Sequence, residues 1–122
     1  MIIDVPDYSN AMTRATEEKM GPFKYDQDDQ FDENDLIDRG PYELDNGAIY
    51  KGQWSREGLR YGRGVQIWTD GSKYEGYWRS DMANGRGRLI HAGNLSISYH
   101  FSNLIHHILN IPFFYKFLNS SY

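Results

Sequence analysis

Between residues 40 and 93 apolar and polar positions alternate, with glycines at fixed places in the alternation. Tyr50, Gly52 and Trp54 stand at i, i+2 and i+4, so they share one face of a strand. They return as Tyr74, Gly76 and Trp78, a period of 24 residues. Gly62-Arg63-Gly64 returns as Gly85-Arg86-Gly87, and Gly40, Gly47 and Tyr50 are spaced like Gly64, Gly71 and Tyr74. Gly62, Gly64, Gln66 and Trp68 share parity on the following strand. Asn46-Gly47 and Asp70-Gly71 are short-range turn signals, because glycine, and less readily Asn or Asp, tolerates positive φ. The pattern predicts antiparallel β-hairpins repeated along the chain, each too small to bury its own face alone.

A glycine weakens a strand unless something must approach closely there. The rings of Tyr50 and Trp54 are expected to lie flat over glycines of the neighbouring strand. The frame resembles the MORN repeat (membrane occupation and recognition nexus). The resemblance is carried by Tyr50-Lys51-Gly52-Gln53-Trp54, Gly62-Arg63-Gly64-Val65-Gln66-Ile67-Trp68, Asp70-Gly71-Ser72-Lys73-Tyr74-Glu75-Gly76-Tyr77-Trp78 and Gly85-Arg86-Gly87-Arg88-Leu89-Ile90-His91-Ala92. It implies an all-β fold, an elongated single-layer antiparallel sheet of hairpins. It also implies a scaffold, dimerisation module or membrane-associated adaptor without an active site. The repeat-defining residues are Tyr50, Gly52, Trp54, Gly62, Gly64, Gly71, Tyr74, Gly76, Trp78, Gly85 and Gly87.

The pattern departs from the family in two places. The loop between Trp54 and Gly62 is one residue longer than that between Trp78 and Gly85. After Ala92 the frame stops: position 97, where the next Tyr belongs, is Ile97. The chain thus reads as a truncated member with half a repeat, one whole repeat and most of another. An unpaired strand edge is expected at residues 88–92, inviting edge-to-edge homodimers. Residues 94–122 contain no Ala, Gly, Val, Thr, Asp, Glu, Arg or Gln. This atypical apolar tail reads either as translated non-coding sequence or as an amphipathic helix carrying Phe101, Leu104, Ile105, Ile108 and Leu109 on one side.

Charge divides the chain. Residues 1–39 hold eleven acids against four bases, residues 40–93 six against eight. An acidic leader before a mildly basic repeat block disfavours nucleic acid as a partner of the whole chain. The leader reads as largely disordered, with a short helix capped by Ser9, running to Met20 and closed by Gly21 and Pro22. Phe31, Leu36 and Ile37 are expected to dock on the first hairpin. The organisation is therefore a leader (1–39), repeats (40–93) and a tail (94–122).

Little in the sequence carries catalysis. There is no cysteine, which excludes a disulfide framework and a thiol nucleophile and fits a reducing compartment. Gly62-x-Gly64 and Gly85-x-Gly87 lack the third glycine and following helix of a dinucleotide fingerprint. The acids around residue 32 fail a calcium-loop spacing, because Leu36 and Ile37 fall where a ligand and a glycine are required. No cofactor, metal or catalytic residue is expected. The function these features support is a non-catalytic scaffold binding proteins. The alternatives are an acidic-phospholipid adaptor using Arg60, Arg63, Arg86 and Arg88, or a regulatory fragment of a lipid kinase or methyltransferase. The resemblance places such a chain in the cytoplasm, at the cytoskeleton or on a membrane surface.

Overall fold

The computed structural model describes residues 6–25, 32–92 and 96–100, the last as backbone alone. The helix expected around Phe101 to Leu109 and the docking of Phe31 lie outside these residues. The chain forms α1 (Ala11–Met20), a 3-10 turn (Glu33–Asp35), β1 (Leu36–Glu43), β2 (Ile49–Ser55), β3 (Arg60–Ile67), β4 (Lys73–Arg79), β5 (Met82–Ile90) and β6 (Ser96–His100). The strands form one open antiparallel sheet in sequence order.

Both repeats build their strands alike. Gly52 pairs with Gly64, and Gly76 with Gly64 on its other side and with Gly87. Both hairpins then slip register, between Gly52 and Trp54 and between Gly76 and Trp78. Gly62 and Gly85 lie in these bulges with φ of 86° and 84°, a conformation that side chains rarely adopt. The longer first loop is a turn closed by Gly58 N–H donating to Ser55 O. The second has two residues, Ser80 and Asp81, both at positive φ. That left-handed pair matches the twist of its strands.

Three expectations change. The helix is capped by Asn10, whose side chain accepts from Thr13 N–H while the Thr13 hydroxyl oxygen accepts from Asn10 N–H. Ser9 instead accepts from Arg14, so the reciprocal box starts one residue later than the sequence suggests. β1 begins at Leu36, so the sheet takes in residues on both sides of position 40. Leu36 and Ile37 pair as strand residues with Ser55 and Trp54. Finally, β6 pairs with Arg86–Ile90 of β5, so residues 88–90 are not an open edge. Backbone pairing asks only for an extended neighbour and does not require the Tyr-Gly-Trp frame.

Candidate binding surface

The strand parity gives the sheet two chemically different faces. One carries the repeat aromatics. Tyr42, Trp54, Tyr50, Trp78 and Tyr74 form a chain of edge-to-face contacts, with centroids 4.9–5.5 Å apart. Tyr50, Tyr74 and Trp78 are fully buried there. The reason lies in the glycines: a Cβ added at Gly64 would stand 2.5 Å from Tyr50 Cε1, and one at Gly87 2.5 Å from Tyr74 Cε2. Each ring rests on bare backbone. The phenols also repeat their bonding, Tyr50 Oη donating to Gln53 O and Tyr74 Oη to Tyr77 O. Burial pushes both hydroxyls well above the ordinary tyrosine pKa.

The row ends at a groove of about 380 Å³ lined by Tyr42, Leu44, Trp54, Arg60 and Asp81. Tyr42 is half exposed at this end. Trp78 Nε1 donates to Gly64 O at 3.1 Å, whereas the equivalent Trp54 Nε1 is buried without a hydrogen-bond partner. The preceding glycine of the frame, Gly40, lies in the irregular stretch of β1 between Arg39 and Tyr42.

Two of the four proposed lipid-binding arginines are structural, which corrects the sequence expectation. Arg60 shares the parity of Gly62, Gly64 and Gln66 and lies opposite Trp54 on the aromatic face, where it is 3% exposed and lies 4.5 Å over the Trp78 ring. Its guanidinium donates to Asp81 Oδ1 and to Asp81 O, and bonds Gln66 Oε1. Burial lowers its pKa while Asp81 holds the charge in place. Arg88 is 4% exposed, donating to Gly21 O and to Glu75 Oε1. Either would have to break these bonds before reaching a headgroup. Arg63 is exposed and lies 3.6 Å from Glu33, and Arg86 stands over the Phe23 ring at 5.5 Å.

The opposite face carries Lys51, Arg63, Lys73, Arg86 and Arg88 among Asp38, Glu75 and Tyr77, by strand register. Residues 8–25 lie across it. Glu17 pairs with Lys73. Phe23 packs edge-on to Tyr25, and Tyr25 edge-on to Tyr77. Tyr25 Oη donates to Gly64 O at 3.3 Å, so this carbonyl receives Tyr25 from one face and Trp78 from the other. Burial, then the Glu75 carboxylate, raises the Tyr25 pKa. The sequence missed this site, because its anchors on the sheet are largely backbone carbonyls. The pair Phe23 and Tyr25 beside a lone Pro22 was the available signal.

Among the described residues no His, Asp and Glu group could hold a metal ion, and no helix is long and apolar enough to cross a membrane. No curated protein matches the chain. The MORN repeat family model matches residues 50–73 and 74–94. Those limits coincide with the Tyr50 and Tyr74 starts of the two glycine-bedded hairpins. Repeats of this family commonly serve protein or membrane interaction and generally carry no catalysis. With the family pattern, the paired bulges and the ring-on-glycine packing all in register, residues 50–94 are two MORN repeats.

Proposed function

We propose that the chain is a non-catalytic scaffold that binds other polypeptides through the face opposite its aromatic row. One observation carries this reading: that face already holds a polypeptide, residues 8–25, by means open to many sequences. Gly47 O, Asp70 O and Gly64 O accept from it, and Arg88 donates to its backbone at Gly21. Lys73 adds one ion pair and Tyr77 one ring contact. The lipid reading loses Arg60 and Arg88 to internal pairing, and the remaining Arg63 and Arg86 both lie against the leader side of the chain.

A parallel titration of the full chain against a peptide array and against phosphoinositide vesicles tests the reading. Peptide binding is expected to saturate and to fall on Tyr77→Ala, with no co-sedimentation at physiological salt, where exposed charges are screened beyond about 8 Å. Vesicle binding abolished by Arg63→Ala/Arg86→Ala would make the chain a lipid adaptor instead.

A further inference from the structure

The leader holds its place through few contacts. Of α1 only Thr13 is buried, and Met12 and Met20 remain exposed. A helix of 10 residues is marginal by itself. Its anchors are four hydrogen bonds (Tyr8 to Gly47 O, Asn10 to Asp70 O, Tyr25 to Gly64 O and Arg88 to Gly21 O), one ion pair, Glu17 to Lys73, the Phe23 ring beneath Arg86 and Arg88, and the Tyr25 ring on Tyr77. What compensates for so small a footprint is connection: the leader and the sheet belong to one chain. A short tether supplies an effective concentration of about millimolar. Beside Tyr25 the described residues leave part of the face open. A groove of about 360 Å³ continues there, lined by Asp38, Lys51, Gln53, Arg63 and Val65.

We propose that residues 8–25 are a tethered occupant of the docking face, displaced by an external polypeptide of the same chemistry. This rests on the scaffold reading above and names its partner. The partner segment carries a carboxylate for Lys73 and, six and eight residues later, two aromatic side chains, as Glu17 precedes Phe23 and Tyr25. Lys51 and Arg63, which line the adjoining groove with Asp38, favour an acidic residue in the part of the partner that reaches it. A segment that adds contacts to Lys51, Gln53 and Arg63 in the adjoining groove outlasts the tethered one.

The test uses the full chain and a fluorescein-labelled peptide of residues 6–25 as probe. Anisotropy is read for the parent and for the variant Glu17→Ala/Phe23→Ala/Tyr25→Ala, which alters only the leader. The variant is expected to bind the probe at least tenfold more tightly than the parent. A probe with the same three substitutions should not bind, and Lys73→Ala in the variant should weaken the labelled peptide severalfold. Equal affinity in parent and variant, or no binding to a variant with intact tryptophan emission, overturns the proposal. If the variant loses that emission, hydrogen exchange on the parent answers instead. Excess unlabelled peptide should speed exchange of amides 11–21, and unchanged exchange overturns the proposal. A variant that ignores the peptide but sediments with phosphoinositide vesicles assigns the face to a membrane and overturns both readings. Array peptides that bind parent and variant alike leave the scaffold standing and remove only the leader's role.

Discussion

On one face of the sheet Tyr50 and Tyr74 perform the same act a repeat apart, each lying on a glycine and donating to a carbonyl three residues on. On the other face the described contacts differ from one repeat to the next. Lys73 takes Glu17, Arg88 takes the Gly21 carbonyl, Tyr77 takes Tyr25. The periodic face holds the strands together and would be the same in any array of this frame. The aperiodic face is where this chain differs from such an array, and that is where specificity for a partner can be written. Gly64 joins the two, since its carbonyl serves Trp78 on one side and Tyr25 on the other.

The periodic face should break first and hardest. Trp78→Ala removes a fully buried ring, the bond to Gly64 and the platform under Arg60. It should cost about 3–5 kcal/mol and abolish cooperative urea unfolding together with leader protection. Trp54→Ala should cost less, because Trp54 lies next to the half-exposed Tyr42 end of the row and its Nε1 has no partner to lose. Equal costs would mean that position in the row does not matter. Asp81→Ala leaves Arg60 buried without its carboxylate, and about 1.5–3 kcal/mol should be lost. Asp81 is 39% exposed, so solvent already screens its charge and the loss should fall toward the lower end of that range.

A pH titration compares the faces without mutation. Tyr50 and Tyr74 on one side and Tyr25 on the other all have pKa values raised above the ordinary 10.0. Below that value these rings are protonated in folded and unfolded chains alike, and their stability is fully present. Above it the unfolded chain ionises while the folded one does not, so stability falls as pH rises. Each ring withdraws about 1.4 kcal/mol per pH unit. Urea midpoints should be level near pH 8 and fall steeply past pH 10, with absorbance at 295 nm rising only as the chain unfolds. The smallest effect belongs to Tyr25→Phe. It removes one hydrogen bond to Gly64, worth about 0.5–1.5 kcal/mol. Amides 11–21 should exchange faster, with the global midpoint little changed.

The aromatic face was legible in the sequence because its physics is periodic: a ring at i, a glycine at i+2 and a ring at i+4 state both the face and the packing. The other face was not. Tyr8, Asn10 and Tyr25 bind carbonyls of Gly47, Asp70 and Gly64, and a carbonyl looks the same at every residue. Arg60 hides a different kind of information. Its parity with Gly62 and Gly64 states the face, but its enclosure depends on Asp81 of the next hairpin, which strand alternation does not show. The extra strand β6 escaped because the search was for the repeat frame and backbone pairing needs none.

The contacts of Tyr8 and Asn10 have a mechanical consequence. Tyr8 bonds Gly47 O, and Asn10 bonds Asp70 O. These turns are 24 residues apart along the chain, yet the leader crosses between them in two residues. Neighbouring hairpins at this edge are separated by two strand widths, roughly 9–10 Å. Two extended residues span about 7 Å, and the two side chains make up the rest. The segment therefore bridges adjacent hairpins. Opening the angle between those hairpins would lengthen one of its two bonds, so the curvature of the sheet and the seating of the leader are geometrically linked.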